Sequence, residues 1–407
     1  MLWFSMSEFL SVFLCLRRRY SSDKRVDGQV VVITVVSAKK PHFNTLQLDL
    51  CSLQSVRHFA KELSQLESKV DILINNAGVM ICPEWQTTDG FEMQFGTNHL
   101  EIQMSEFLSV FLCLRRRYSS DKRVDGQVVV ITGGNSGIGK ETAFQLTLRG
   151  AKVYIGCRDM RKGDMAVHDI QAMNPKADIT ALQLDLCSLQ SVRHFAKELS
   201  QLESKVDILI NNAGVMICPE WQTTDGFEMQ FGTNHLGHFL LTLHLIPLMK
   251  SPTKARIINL SSVFHTIGEI NFQNINLRNG AYNPYQAYAN SKLCNVIFTK
   301  QLATRLQGTG ITAYCLHPGV VKTQLFQHKL WAQFLIHLLF MSPEMGCQTT
   351  LYCALDDQLA NESGFYYDNC RRVSPNRMVR RATDDSIGRQ LWELSADLVA
   401  LETRLNI

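Results

Sequence analysis

Residues Thr132 to Gly139, TGGNSGIG, constrain the fold of this chain more than any other stretch. They follow an apolar, β-branched run, Gln127-Val-Val-Val-Ile131, and lead into a segment of helical period from Lys140 to Arg149. A glycine-rich turn in that position aims the N–H groups of a helix start at an anion, which makes a phosphate cradle. Glycines at 133, 137 and 139 permit the tight turn, the approach of backbone to a pyrophosphate, and close helix–strand packing. We assign Gly133, Asn135, Ser136, Gly137, Ile138 and Gly139 to this cradle. The plainer reading is turn chemistry alone, since turns take glycine wherever φ must be positive. A second copy of the same strand, Gln29 to Thr34, sharpens the contrast, because it runs into Val35-Val-Ser-Ala-Lys-Lys-Pro41 with no glycine.

That copy belongs to a longer internal repeat. Met6 to Thr34 is identical to Met104 to Thr132, and Leu46 to Leu100 is identical to Leu182 to Leu236. Two copies at different offsets, identical even at polar positions, do not make a solenoid. They are what a recent partial duplication, or the head-to-tail joining of two gene copies, leaves behind. Although 407 residues suffice for two domains, one complete domain is expected, over 124–407. Residues 104–123 are an apolar segment with an arginine cluster. Residues 1–103 are a partial duplicate, expected to be non-functional or poorly folded: they lack the glycine loop, its helix and the following strand, and a parallel sheet needs helices on both faces.

Net charge is +4, spread over both signs, with short basic clusters such as Arg115-Arg-Arg117 and Arg371-Arg372. Such a balance argues against a nucleic-acid partner. Six of the twelve cysteines are counted twice by the repeat (Cys15, Cys51, Cys82 and their doubles Cys113, Cys187, Cys218), and no CxxC or zinc spacing occurs, so reduced thiols and no metal are expected. The run from Met104 to Leu114 is apolar and stops at three arginines. It is about half the roughly 20 residues a bilayer span needs. It reads either as a membrane-associating anchor on the cytosolic side, the endoplasmic reticulum being the suspected membrane, or as an apolar helix packed on a cytoplasmic body.

From Val124 onward, strands near 127–132, 152–157, 179–186, 207–212, 255–261, 311–317 and 364–368 alternate with helix-length segments. The pattern predicts an α/β fold, a doubly wound parallel Rossmann-type sheet with helices on both faces. Ligands on such sheets lie beyond the carboxyl ends of the strands.

The strand ends carry the chemistry. After the second strand comes Gly156-Cys157-Arg158-Asp159, where an acid would hydrogen-bond a free ribose 2'-OH and an arginine accepts a 2'-phosphate. Cys157 is neutral, so Arg158 favours NADP(H) over NAD(H); the alternative is a solvated helix-start charge paired with Asp159. Asp185-Leu186 follows the third strand and is placed to meet the adenine edge. Asn211-Asn212-Ala213-Gly214 follows the fourth, where small residues let a cofactor approach the backbone. In Asn234-His-Leu-Gly-His-Phe239, His235 and His238 find no third metal ligand and read as helix residues, while Asn234 is a polar group inside an apolar run. The fifth strand ends in Asn259-Leu-Ser261-Ser262.

Tyr288 and Lys292 stand four apart at the start of a helix and so share one face. A cation beside a phenol favours the phenolate, which predicts a Tyr288 pKa lowered toward neutrality, as a general acid/base requires. Tyr282 and Tyr285 have no lysine at that spacing.

Together TGxxxGxG, NNAG, a strand-end serine and YxxxK resemble the short-chain dehydrogenase/reductase family over Val124 to roughly Leu401. Asn234-His-Leu-Gly-His-Phe239, Gly156-Cys157-Arg158-Asp159 and His317-Pro-Gly-Val-Val-Lys-Thr323 are similar to its retinol dehydrogenase branch, as is the long gap between Ser262 and Tyr288. The resemblance implies that Tyr288 exchanges the proton with the substrate oxygen. Lys292 would lower its pKa and hold the nicotinamide ribose, Ser262 rather than Ser261 would hydrogen-bond the substrate oxygen, and Asn234 would maintain a water-linked proton relay. It implies that Pro318, Gly319 and Thr323 close over the nicotinamide and its phosphates, that the apolar stretch 330–341 forms a substrate lid, and that two copies pair through the helices carrying Asn234 and Tyr288. The expected activity is interconversion of an alcohol and a carbonyl on a small hydrophobic substrate such as a retinoid. The alternatives are a steroid or other lipid carbonyl, and a non-catalytic dinucleotide-binding sensor or scaffold.

Overall fold

The computed structural model of the chain describes residues 116–250, 254–319, 341–405 and 407, and ahead of them 31–34, 46, 48–49, 52–66, 72–75, 86 and 88. The apolar run 104–114, Thr323 and all of the lid stretch except Met341 lie outside the described residues. Among the described residues no helix is long and apolar enough to cross a membrane.

The chain divides into two units, Met1–Ser109 and Val110–Ile407. In the first, β1 (Val31–Thr34) pairs in parallel with β2 (Ile72–Asn75), and α1 (Leu53–Leu66) lies between them in sequence. The register Val31↔Ile72 repeats Val129↔Ile208 between the corresponding strands of the second unit. Those two strands are direct neighbours in the complete sheet, so the duplicate can skip the strands between them in sequence and still keep the pair.

The second unit runs β3 (Val128–Thr132), α2 (Gly137–Thr147), β4 (Lys152–Cys157), α3 (Met160–Met173), β5 (Asp178–Gln183), α4 (Leu189–Leu202), β6 (Ile208–Asn211), α5 (Gly237–Met249), β7 (Ala255–Leu260), α6 (Pro284–Arg305), β8 (Ile311–His317), α7 (Gln348–Leu355), β9 (Phe365–Asp368), β10 (Arg371–Arg372) and α8 (Asp385–Leu398). The sheet order is β10-β9-β8-β7-β6-β3-β4-β5, parallel throughout except for the β9–β10 hairpin. β3 is buried at all five positions: Val128 and Val130 face one core, with α4, α5 and α6, while Val129 and Ile131 face the other, with α2, α3 and α7. Burial on both sides is why these strands read as continuous apolar runs rather than alternating ones.

Two boundaries differ from the sequence pattern. The third predicted strand ends at Gln183 rather than 186, because the Asp185 amide turns to donate to Ser191 Oγ (2.9 Å) and leaves the ladder. The eighth strand, β10, is two residues long and too short to leave a periodic signal.

Candidate active site

From β3 the chain winds outward through β4 and β5 to one edge, then returns beside β3 to form β6 and continues the other way. The crevice beyond the carboxyl ends of β3 and β6 is therefore the switch point where such sheets bind ligands.

The glycine loop leaves β3 with Gly133 at φ 67° and enters α2 with Gly137 at φ 54°. At Gly139 a Cβ would lie 2.4 Å from Gly133 O and 2.5 Å from Asn212 Nδ2, so no side chain fits there. Ser136 starts α2 in extended conformation but makes no side-chain bond to the first amides. α3, α4, α6 and α8 are each capped, by Asp159, Ser188, Asn283 and Asp384. The first N–H groups of α2 therefore have no cap at the point where a helix attracts an anion. Glycine clearance and an uncapped helix start fit a dinucleotide's phosphates.

Thr132, which the sequence reading did not single out, ties the loop to the next strand end. Its Oγ1 accepts from the amides of Asn212 and Ala213, each at 2.9 Å, while Asn212 Nδ2 donates to Thr132 O at 2.8 Å. The Asn212 side chain is thus engaged with β3, leaving Ala213 and Gly214 as the small residues of the turn. Asn234 lies on a π-helical turn, Gly232–Leu236, and is fully buried. Its Oδ1 accepts from Val215 N (2.8 Å), and its Nδ2 donates to Val215 O and to Ser291 Oγ (2.9 Å each). Its side chain therefore joins the turn after β6 to α6, the helix that carries Tyr288 and Lys292. A Cβ on Gly214 would stand 3.1 Å from Asn234 Oδ1 and 3.5 Å from Lys292 Nζ, so a side chain there would press on the Asn234 amide.

α6 is entered through Pro284 and capped by Asn283, whose side chain accepts from the amides of Tyr285 and Gln286. One turn in, the Tyr288 phenol lies beside the Ser262 side chain and packs edge-on against Phe264, with ring centroids 5.6 Å apart. Ser261 faces elsewhere, donating to Lys292 O at 2.8 Å. Lys292 Nζ donates to Leu260 O at 3.1 Å and lies 5.7 Å from the centre of the Tyr288 ring. Tyr285 is about half exposed, and the Tyr282 hydroxyl donates to Cys218 O.

The expected lowering of the Tyr288 pKa is not what the protein surroundings produce. Burial pushes Tyr288 up to about 12, opposed only by the neighbouring Ser262 side chain, and burial pushes Lys292 down to about 8. The spacing of four brings both groups to one helical face as predicted. Their shared desolvation outweighs a cation turned toward a backbone carbonyl.

At the end of β4, Cys157 is buried and its thiol is pushed up to about 11 by burial, hence neutral. Arg158 is exposed, and Asp159 does not pair with it: its carboxylate accepts from the amides of Arg161 and Lys162. Asp185 Oδ1 accepts from Cys187 N, and Leu186 is buried against Gly237. Pro318 and Gly319, the latter at φ 89°, follow β8. Both histidines are core residues: His235 Nε2 meets Ser395 Oγ, and His238 lies between Asn234 O and Thr132 Oγ1. Among the described residues no group of His, Cys, Asp and Glu could hold a metal ion.

Comparison with known proteins identifies the family. The short chain dehydrogenase family matches residues 127–332. Human retinol dehydrogenase 13 is 45% identical over 292 residues, covering 70% of this chain and 87% of the relative. Mouse retinol dehydrogenase 12 is 44% identical over 289 residues, 70% of this chain and 90% of the relative. A crystal structure of a Mycobacterium paratuberculosis protein superposes with a TM-score of 0.57 at 37% identity, covering 69% of this chain and 96% of that one. The Pseudomonas aeruginosa RhlG/NADP active-site complex superposes at 0.50 with 25% identity, covering 60% and 95%.

Proposed function

The chain belongs to the short-chain dehydrogenase family, as an oxidoreductase that uses a nicotinamide dinucleotide to interconvert an alcohol and a carbonyl, and we propose that it does so with NADP(H) on a hydrophobic, retinoid-like substrate. The observation that carries the catalytic part is the placing of Tyr288 beside Ser262 at the carboxyl end of β7, with Lys292 on the same helical face and its Nζ 5.7 Å from the phenol ring centre. When bound, the dinucleotide supplies the hydride in reduction and takes it up in oxidation. In reduction Tyr288 donates its phenolic proton to the substrate oxygen as the hydride arrives at carbon; in oxidation its phenolate takes the alcohol proton. Ser262 donates a hydrogen bond to that same oxygen and orients it. The Lys292 ammonium, on the same face, opposes the negative charge left on Tyr288. Asn234, as a positioning residue, holds the turn at Gly214 and Val215 against α6.

The 2'-phosphate preference rests on Arg158, exposed and without a carboxylate partner among the described residues, beside a neutral Cys157 where an acid would select NAD(H). The retinoid-like substrate rests on the names of the relatives and on apolar side chains left about half exposed near the site: Val263 and Ile267 just after Ser262, and Tyr285 one turn ahead of Tyr288. The apolar run 104–114 and its arginines support a place on the cytosol-facing surface of a membrane.

Titrating the protein with NADPH and NADH, and assaying reduction of all-trans-retinal, a steroid ketone and a medium-chain aldehyde with each, tests this. Tighter NADPH binding that weakens in Arg158→Ala, with retinal preferred, is expected. Tighter NADH binding overturns the cofactor assignment, a preferred steroid ketone overturns the substrate, and dinucleotide binding without turnover of any carbonyl leaves a scaffold.

A further inference from the structure

We propose that the C-terminal segment from Asp385 onward occupies the outer face of α5 and α6, so that this face does not pair with a second copy and the helix carrying Tyr288 is braced by its own chain. A helix covered only by the sheet keeps an exposed stripe. α6 has none from Ala287 to Thr299: every position in that stretch is buried. No large apolar side chain of α5 is exposed either, and on α6 only Tyr285 in the first turn is, among the described residues.

What covers them is α8. Its buried residues Gly388, Leu391, Trp392 and Ser395 recur at helical spacing and form one face. Trp392 packs against Phe239 of α5 (centroids 5.1 Å) and Phe298 of α6 (5.9 Å), and the Arg305 guanidinium lies 4.2 Å from its ring centre. A Cβ on Gly388 would lie 2.4 Å from Gln301 Nε2, so the two helices meet closely. Ser395 Oγ reaches His235, the residue beside Asn234, at 2.9 Å. Ion pairs and backbone contacts pin both ends: Lys300 Nζ to Asp385 at 2.8 Å, Arg193 to Val399 O at 2.6 Å, and Arg305 to Ile407 O at 2.9 Å. Association between copies is driven by a desolvated apolar centre, and here that centre is already filled from within.

The test mixes equal amounts of unlabelled and isotope-labelled full-length protein and applies a zero-length carbodiimide, which joins only amines and carboxylates in direct contact. The Lys300–Asp385 peptide should appear with both halves of one isotopic composition, and disappear in Asp385→Asn, whose loss of a solvent-facing charge leaves the fold intact. That result, whether the protein sediments as a monomer or pairs through another surface, supports the proposal. A mixed-isotope Lys300–Asp385 peptide would show that a second copy donates the segment. That outcome overturns the proposal, as does absence of the peptide from the wild type or any cross-link between α5 or α6 of two copies.

Discussion

His238 Nε2 lies 2.9 Å from Thr132 Oγ1, while its Nδ1 lies 3.0 Å from Asn234 O. A carbonyl only accepts, so Nδ1 carries the proton, and burial pulls the ring pKa down to about 4, which keeps it neutral. Nε2 is then an acceptor, and the Thr132 hydroxyl donates to it. The Thr132 lone pairs remain to accept from the amides of Asn212 and Ala213. One imidazole thus connects the end of the cofactor strand to the turn that carries Asn234.

Replacing that ring by an apolar one tests the connection. His238→Leu strands the Thr132 hydroxyl proton and removes the side-chain bond to Asn234 O, and a buried polar group left unpaired costs about 1–3 kcal/mol. We expect a lower melting temperature and weaker NADPH binding. Unchanged melting and affinity would show that the bridge contributes neither.

Acid should destabilise the fold through its buried histidines. Burial pulls His235 down to about 3 and His238 to about 4, against 6.5 for the free side chain. Between about pH 6.5 and 4 the unfolded chain binds protons that the folded chain refuses, so stability falls as pH falls, by at most about 1.4 kcal/mol per pH unit for each histidine. Above about pH 6.5 both states are neutral there and this contribution is flat. Thermal melts across that window should show a shallower slope for His235→Gln than for the wild type. Equal slopes would mean that the acid sensitivity arises elsewhere.

Much of this was legible in the sequence, for physical reasons that mark the limits. Strand, loop and helix follow local periods, so Val128–Thr132, the glycine turn and α2 could be placed from residues a few positions apart. Tyr288 and Lys292 share a face because the helix fixes their spacing. The Thr132–His238 contact spans 106 positions and depends on sheet order, which no local pattern encodes. The direction of the Tyr288 pKa failed similarly: spacing reports neighbours on a helix, while desolvation and the Leu260 carbonyl that draws Lys292 come from other elements. The cover provided by α8 was not read from the sequence, because helical periodicity gives a buried face without naming what it packs against.

Residues 1–103 should be dispensable. Their β1–β2 pair repeats the β3–β6 register, but this copy has no glycine loop and no counterpart of Ser262, Tyr288 or Lys292. Removing 1–103 should keep kcat/KM within about twofold and raise soluble yield. A truncated protein that folds yet loses about tenfold in kcat/KM, roughly 1.4 kcal/mol, would make the duplicate a working part.

The proposed proton transfer depends on Tyr288. In the full chain, Tyr288→Phe removes one hydroxyl from a ring already packed against Phe264, so the fold and the dinucleotide site should persist. Stopped-flow measurement of NADPH binding and of turnover on the same preparation is expected to give an affinity within about twofold of wild type and a turnover reduced by about 10² or more, as loss of a positioned acid/base group requires. Near-normal turnover in Tyr288→Phe, with the loss appearing in Tyr285→Phe or Tyr282→Phe instead, would contradict it.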